Sequence, residues 1–121
     1  MIKAISINDT KEYISVYDMN EPKTTWVIGA VDSITMARIE DEMTETVIDG
    51  KNKVNQKINF STKKLNLVRH GLKGVKNSDL SFVIENGKVS DDTIKTIPKQ
   101  VIDELARQIE NYNTFSDEAG L

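Results

Sequence analysis

The chain has no cysteine, which excludes disulfides and thiolate metal sites, and its one histidine, His70, cannot supply a histidine triad of metal ligands. It has no apolar run near the roughly 18 residues that a spanning helix needs. Its opening, Met1-Ile-Lys-Ala-Ile-Ser-Ile-Asn8, lacks the uninterrupted apolar core of a secretion signal, so the expected place of the protein is the cytoplasm or a particle built there. There is no Gly-rich phosphate loop, because Gly71-Leu-Lys-Gly74 has neither the lysine-serine/threonine ending nor a preceding strand. No serine sits in a nucleophile elbow, and Asp91-Asp92 and Asp117-Glu118 lack the alternating oxygen ligands of a calcium loop. Together these absences predict no catalytic residue, no cofactor and no metal, and they favour a binding or structural protein over an enzyme.

What is present is one domain's worth of chain: 121 residues, 38% hydrophobic and 29% charged, enough for a single thin core. The net charge of −3 conceals a segregation. Residues 1–49 carry −6, residues 50–78 carry +8 with no acid at all, and residues 79–121 carry −5. A basic block of this size suits phosphate backbones. Phe60 is its only aromatic, however, so the stacking platform of a single-strand binder is missing and specific nucleic-acid binding is not expected. The stronger expectation is that the block meets the acidic flanks, within one molecule or between neighbouring copies.

Periodicity predicts an α+β fold: a small N-terminal antiparallel sheet packed with about three helices, and a β-hairpin in the C-terminal half. Residues 11–18 and 24–28 form β-prone runs separated by Asn20-Glu21-Pro22, and two-residue alternation puts Trp26, Ile28 and Ala30 on one buried face. Asp32 or Ser33 caps a predicted helix running to about Val47, with Met36, Ile39, Met43 and Val47 on one face and Glu40, Asp41, Glu42 and Glu45 on the other. Adjacent helical carboxylates usually point into water, so these read as a solvated face or a partner surface. An exposed loop at 49–53 leads to a short half-buried strand in which Val54, Ile58 and Phe60 alternate with polar residues. Ser61 is a helix-cap candidate with Phe60 and Leu65 at staple spacing; Leu65, Val68 and Leu72 form the stripe, and Gly71 or Gly74 ends that helix. His70 reads as a surface or packing residue. Asn86-Gly87 marks a hairpin, Asp91-Asp92 a short helical turn, and Pro98 the first turn of a final helix with Val101, Ile102, Leu105, Ile109 and Tyr112 at helical spacing. Ser116-Asp-Glu118 resembles the cap of a further helix.

Three stretches in order carry a family resemblance. Pro22-Lys-Thr-Thr-Trp26-Val-Ile28, Val68-Arg-His-Gly71-Leu-Lys-Gly74-Val-Lys-Asn77, and the segment from Ile97-Pro98 to Glu118 are similar to the opening, central and closing parts of the small tail assembly chaperones encoded in tail gene clusters of long-tailed bacteriophages. Val75 departs from the pattern, standing where a larger aromatic is expected. The resemblance implies a non-enzymatic protein of the host cytoplasm, or the virion, that binds the tape measure protein, promotes assembly of tail-tube subunits and self-associates. The alternatives are a structural virion component, head-tail or capsid-associated, and a small phage-encoded inhibitor of a host defence complex. The expected partner-binding residues are Lys63, Lys64, Arg69 and Lys73 from the basic block, Glu40 and Glu45 from the acidic face, and Met36 and Met43, whose adaptable side chains line a groove or, by the plainer reading, fill the core.

Overall fold

A computed structural model of the chain describes residues 1–2, 4–48 and 54–114, with side chains given outside 45–58. In chain order the elements are β1 (Thr10–Ile14), β2 (Thr25–Gly29), α1 (Ser33–Glu42), β3 (Thr44–Ile48), β4 (Val54–Ile58), α2 (Phe60–Gly71), β5 (Leu72–Lys76), β6 (Ile84–Glu85), β7 (Lys88–Val89), α3 (Asp91–Ile94) and α4 (Lys99–Asn113). The class is α+β, as expected. An antiparallel sheet in the order β1-β2-β5 receives α4 on β2 and α2 on β5, while β3-β4 and β6-β7 form separate two-stranded hairpins. No helix among the described residues is long and apolar enough to cross a membrane.

The central strand β2 follows its residues. Trp26 and Ile28, with Ala30 just beyond the strand, are all buried, so alternation through Thr25-Trp-Val-Ile-Gly29 aims every second side chain at the helices. Trp26 pairs with Tyr13 on one side and with Val75 on the other. Strand β5 was not anticipated. Helical periodicity through Leu65 and Val68 reaches Leu72, yet Leu72 opens a strand. It is buried in either conformation, so apolar spacing alone cannot tell a last helical turn from a first strand residue. The tertiary ladder with β2 decides it. The register slips between Val27 and Ile28, which pair with Gly74 and Leu72, and Lys73 is the extra residue of the resulting bulge.

Two further expectations need correction. The first helix stops at Glu42 instead of reaching Val47, and Thr44-Glu-Thr-Val-Ile48 forms a strand. Four of those five residues are β-branched, stiff at χ1 and better suited to a pleated ladder, which β4 supplies. The cap of α2 is Asn59, whose side chain accepts from the Thr62 amide at 3.2 Å, so Ser61 lies inside the helix. Phe60 begins that helix, instead of ending the preceding strand, and is exposed. Elsewhere the local chemistry held. Asp32 caps α1 by accepting from the Thr35 amide at 2.8 Å. Asn86 and Gly87 both have positive φ, 54° and 78°, as a two-residue turn matching strand twist requires. Ser90 caps α3, and Pro98 immediately precedes α4. The predicted loop at 49–53 and the cap at Ser116 lie outside the described residues.

The core sits between the sheet and the α2–α4 pair. Ile102, Leu105, Ala106 and Ile109 of α4 are buried against Leu67 and Val68 of α2 and Trp26, Ile28 and Leu72 of the sheet. Close approach of the two helices depends on Gly71: a Cβ there would overlap Ile109 Cγ2 and lie 3.0 Å from its Cδ1. At the far end of α4, Asn113 accepts from the Val31 amide at 2.6 Å and donates to the Gly29 carbonyl at 3.2 Å, which ties the end of β2 to the helix.

Candidate functional site

The cations of the predicted partner surface are taken up inside the molecule. Lys63 lies 3.3 Å from Glu110, Lys64 3.5 Å from Asp103, and Arg69 2.9 Å from Asp91, so the basic helix α2 faces acids of α4 and α3. Arg69 also donates to Asn66 Oδ1 at 2.5 Å, and Asn66 donates to Glu42 at 3.0 Å. This polar chain ties α1, α2 and α3 together. Lys73, at the bulge, donates to the His70 carbonyl at 2.7 Å and satisfies the end of α2, while its stem covers Gly29; burial lowers its pKa. Met36 is half-buried and packs against the core, and Met43 is half-buried at the end of α1. Glu40 is exposed on α1, and Glu45 belongs to β3, with its side chain outside the described ones. These eight residues therefore do not converge on one site. The charge segregation of the sequence is resolved, for Lys63, Lys64 and Arg69, within a single molecule.

The residues that sequence reasoning missed lie where β1 and the segment after it meet α4. Glu104 is 2% exposed. Its Oε2 accepts from the Tyr13 hydroxyl at 2.5 Å and from the Val16 amide at 2.9 Å, which fastens β1 and the segment after it onto α4. Its Oε1 is buried without a well-formed hydrogen bond among the described residues. Burial by itself would push the Glu104 carboxyl up, but the Ser15 hydroxyl beside it, the Tyr13 and Val16 donors and the charge of Arg107 outweigh burial and hold it below the ordinary glutamate range. Tyr13 is pushed up to about 12, first by burial and then by its bond to Glu104. The signal was legible: Glu104 stands three residues after Val101 and one before Leu105, on the stripe that α4 buries.

Around this anchor the N-terminal region is apolar and open. Met1, Ile2, Ile5, Ile7, Ile14, Val16, Tyr17 and Met19 are all exposed, whereas residues 20–114 expose only Ile34, Phe60, Val83 and Ile84 among their described large apolar side chains. Among the described residues of 1–19 only Ser15 is buried, and Tyr13 is half-buried against the core. Next to it, a cavity of about 520 Å³ is lined by Ser15, Tyr17, Asp18, Trp26, Pro98 and Val101, among others. Asp18 within it is already engaged, accepting from the amides of Asn20 at 3.0 Å and Thr24 at 2.7 Å. A second cavity of about 550 Å³ brings His70 near Arg38, Lys88, Glu42, Asp91 and Asp92. Burial and then the charges of Lys88 and Lys73 lower the His70 pKa, and the lining is of mixed sign. Among the described residues no three of His, Asp and Glu are grouped to hold a metal ion.

Comparison of the chain with protein-family models, with curated proteins and with solved structures returns no match. The surface of the protein offers an α2–α4 pair whose Lys63 and Lys64 are matched by acids, and an apolar, edge-strand region in residues 1–19.

Proposed function

We propose that the chain is a non-enzymatic morphogenesis protein of the tail assembly chaperone kind, which binds the tape measure protein and promotes tail-tube assembly. The observation that carries this reading is the concentration of exposed apolar side chains in residues 1–19, beside a strand edge that is unpaired among the described residues. Contiguous apolar surface on a soluble domain marks a protein contact. A long amphipathic tape measure exposes the same kind of surface and needs cover until the tube forms around it. The resemblance of residues 22–28, 68–77 and 97–118 to tail assembly chaperones supplies the class of partner.

The test is co-expression with the tape measure protein of the same gene cluster. The tape measure is expected in the soluble fraction together with the chain, and Val16→Asp with Tyr17→Asp, both exposed in the wild type, is expected to return it to the pellet without lowering the chain's own melting temperature. A tape measure that pellets equally with and without the wild-type chain overturns the reading. Mass spectrometry of purified particles separates an assembly factor, absent from them, from a structural virion component.

A further inference from the structure

We propose that residues 1–6 of one copy add as a strand to the open edge of β1 in a second copy, so that the sheet β1-β2-β5 becomes four-stranded by exchange between two molecules. The inference deepens the assembly reading above and rests on it.

The sheet has two edges of different character. On one side β5 lies against β7, while β1, on the other, has no strand beyond it among the described residues. An edge strand leaves a row of backbone N–H and C=O groups available to another chain. The segment in front of β1 is built to fill such a row. Met1-Ile-Lys-Ala-Ile-Ser-Ile7 has no helix or strand assignment at any described position, and its Met1, Ile2, Ile5 and Ile7 are exposed.

The register is already set. The Asp9 amide donates to the Ser6 carbonyl at 3.2 Å, closing a turn over residues 6–9. Continuing an antiparallel ladder from that bond places Ile5 opposite Thr10, Ala4 opposite Lys11, Lys3 opposite Glu12, Ile2 opposite Tyr13 and Met1 opposite Ile14. In this register no like charges oppose. The one cation of the segment meets an acid, and Met1 meets the exposed Ile14. Charge is complementary over the whole length as well, with +1 in residues 1–7 and −1 in residues 9–14. A ladder shifted by two residues would set Lys3 against Thr10 or against Ile14, losing the match. Yet within the single chain the pairing stops at its first bond. The same contacts made between two copies satisfy the edge of each, the usual logic of exchanging an identical element.

Sedimentation velocity of the full chain over a wide concentration range tests this. The expected result is a concentration-dependent dimer that Ile5→Lys weakens at least about tenfold, the combined effect of losing several cross-strand pairs. Glu12→Lys is expected to weaken it too, although Glu12 also holds Lys76 at 2.9 Å across its own sheet. The reciprocal combination of Lys3→Glu with Glu12→Lys isolates the contact between copies, because it restores that pair without restoring the one to Lys76. Melting temperatures near wild type show that each variant still folds. A chain that is monomeric at every concentration overturns the proposal, and so does a dimer indifferent to these changes or one that dissolves instead with Phe60→Asp. A monomer that still keeps the tape measure soluble sinks the exchange and leaves the assembly reading standing.

Discussion

The α2–α4 pair and the first nineteen residues use their side chains in opposite ways. In the pair, Leu67, Val68, Leu105 and Ile109 are at most 1% exposed, and the lysines around them close onto Glu110 and Asp103 of the same molecule. In the N-terminal region eight large apolar side chains face outward, and the region is held by the β1–β2 ladder and by one buried carboxylate of α4, Glu104. The contrast teaches where cohesion and contact reside. Apolar surface already buried stabilises the fold, and apolar surface left open is what remains for a partner. Of the block of like charges conspicuous in the sequence, Lys63 and Lys64 are matched by acids in the first region.

The contrast breaks most severely if the pair is hollowed. Leu105→Ala is expected to cost about 2–5 kcal/mol, since the side chain is fully buried and the site cannot collapse without moving both helices. Urea denaturation with an unchanged slope measures this; a stability equal to wild type would mean that α4 is not the keystone of the core.

Next in size is Glu104→Ala, expected to cost about 2–3 kcal/mol because it strands the Tyr13 hydroxyl and the Val16 amide. Its signature is local as well as global: amide exchange in β1 should quicken more than in α4. The pH dependence follows from the same bond. The folded-state pKa of Glu104 is depressed, so its contribution is present above the ordinary value of 4.5 and is lost as pH falls through the lower folded-state value. Tyr13 is raised from 10.0 to about 12, so its contribution is complete below pH 10 and is lost as pH rises through that interval. Both limbs of a melting-temperature profile should flatten in Glu104→Gln, and a profile identical to wild type would show that the carboxylate is not the titrating anchor.

Gly71→Ala sharpens the contrast from the packing side. The new methyl group overlaps Ile109, and overpacking of this kind costs about 1–3 kcal/mol, partly offset by the better helix propensity of alanine. Pairing it with Ile109→Val should recover part of the loss, and no recovery would place the strain elsewhere.

The smallest effects are expected from the ion pairs. Lys63→Ala and Lys64→Ala should each change stability by less than about 1 kcal/mol, because Glu110 and Asp103 are substantially solvated. If charge reversal at these two lysines dissolves a dimer that Ile5→Lys leaves intact, the roles of the two regions are the reverse of those argued above.

Local chemistry carried far in this chain. The Asn86-Gly87 turn, the Asp32 cap, the short helical turn at Asp91-Asp92, the buried alternation of Trp26 and Ile28, and the stripe of α4 each depend on a few neighbouring residues and are readable without a partner. The α+β class follows from them. What the tertiary structure alone decided are the choices in which two conformations bury the same residue or satisfy the same charge. Leu72 is buried as helix or strand, and only its pairing with Ile28 in the β2 ladder makes it the start of β5. Lys63, Lys64 and Arg69 could have met acids in another copy, and only the packing of α2 against α4 and α3 brings Glu110, Asp103 and Asp91 within reach. Glu104 stands on an apolar stripe in the sequence, and only the arrival of Tyr13 and Val16, far away along the chain, turns a buried charge into an anchor. Local order depends on short spacings that a sequence displays, while the partner of a buried or charged group depends on distances in space that it does not.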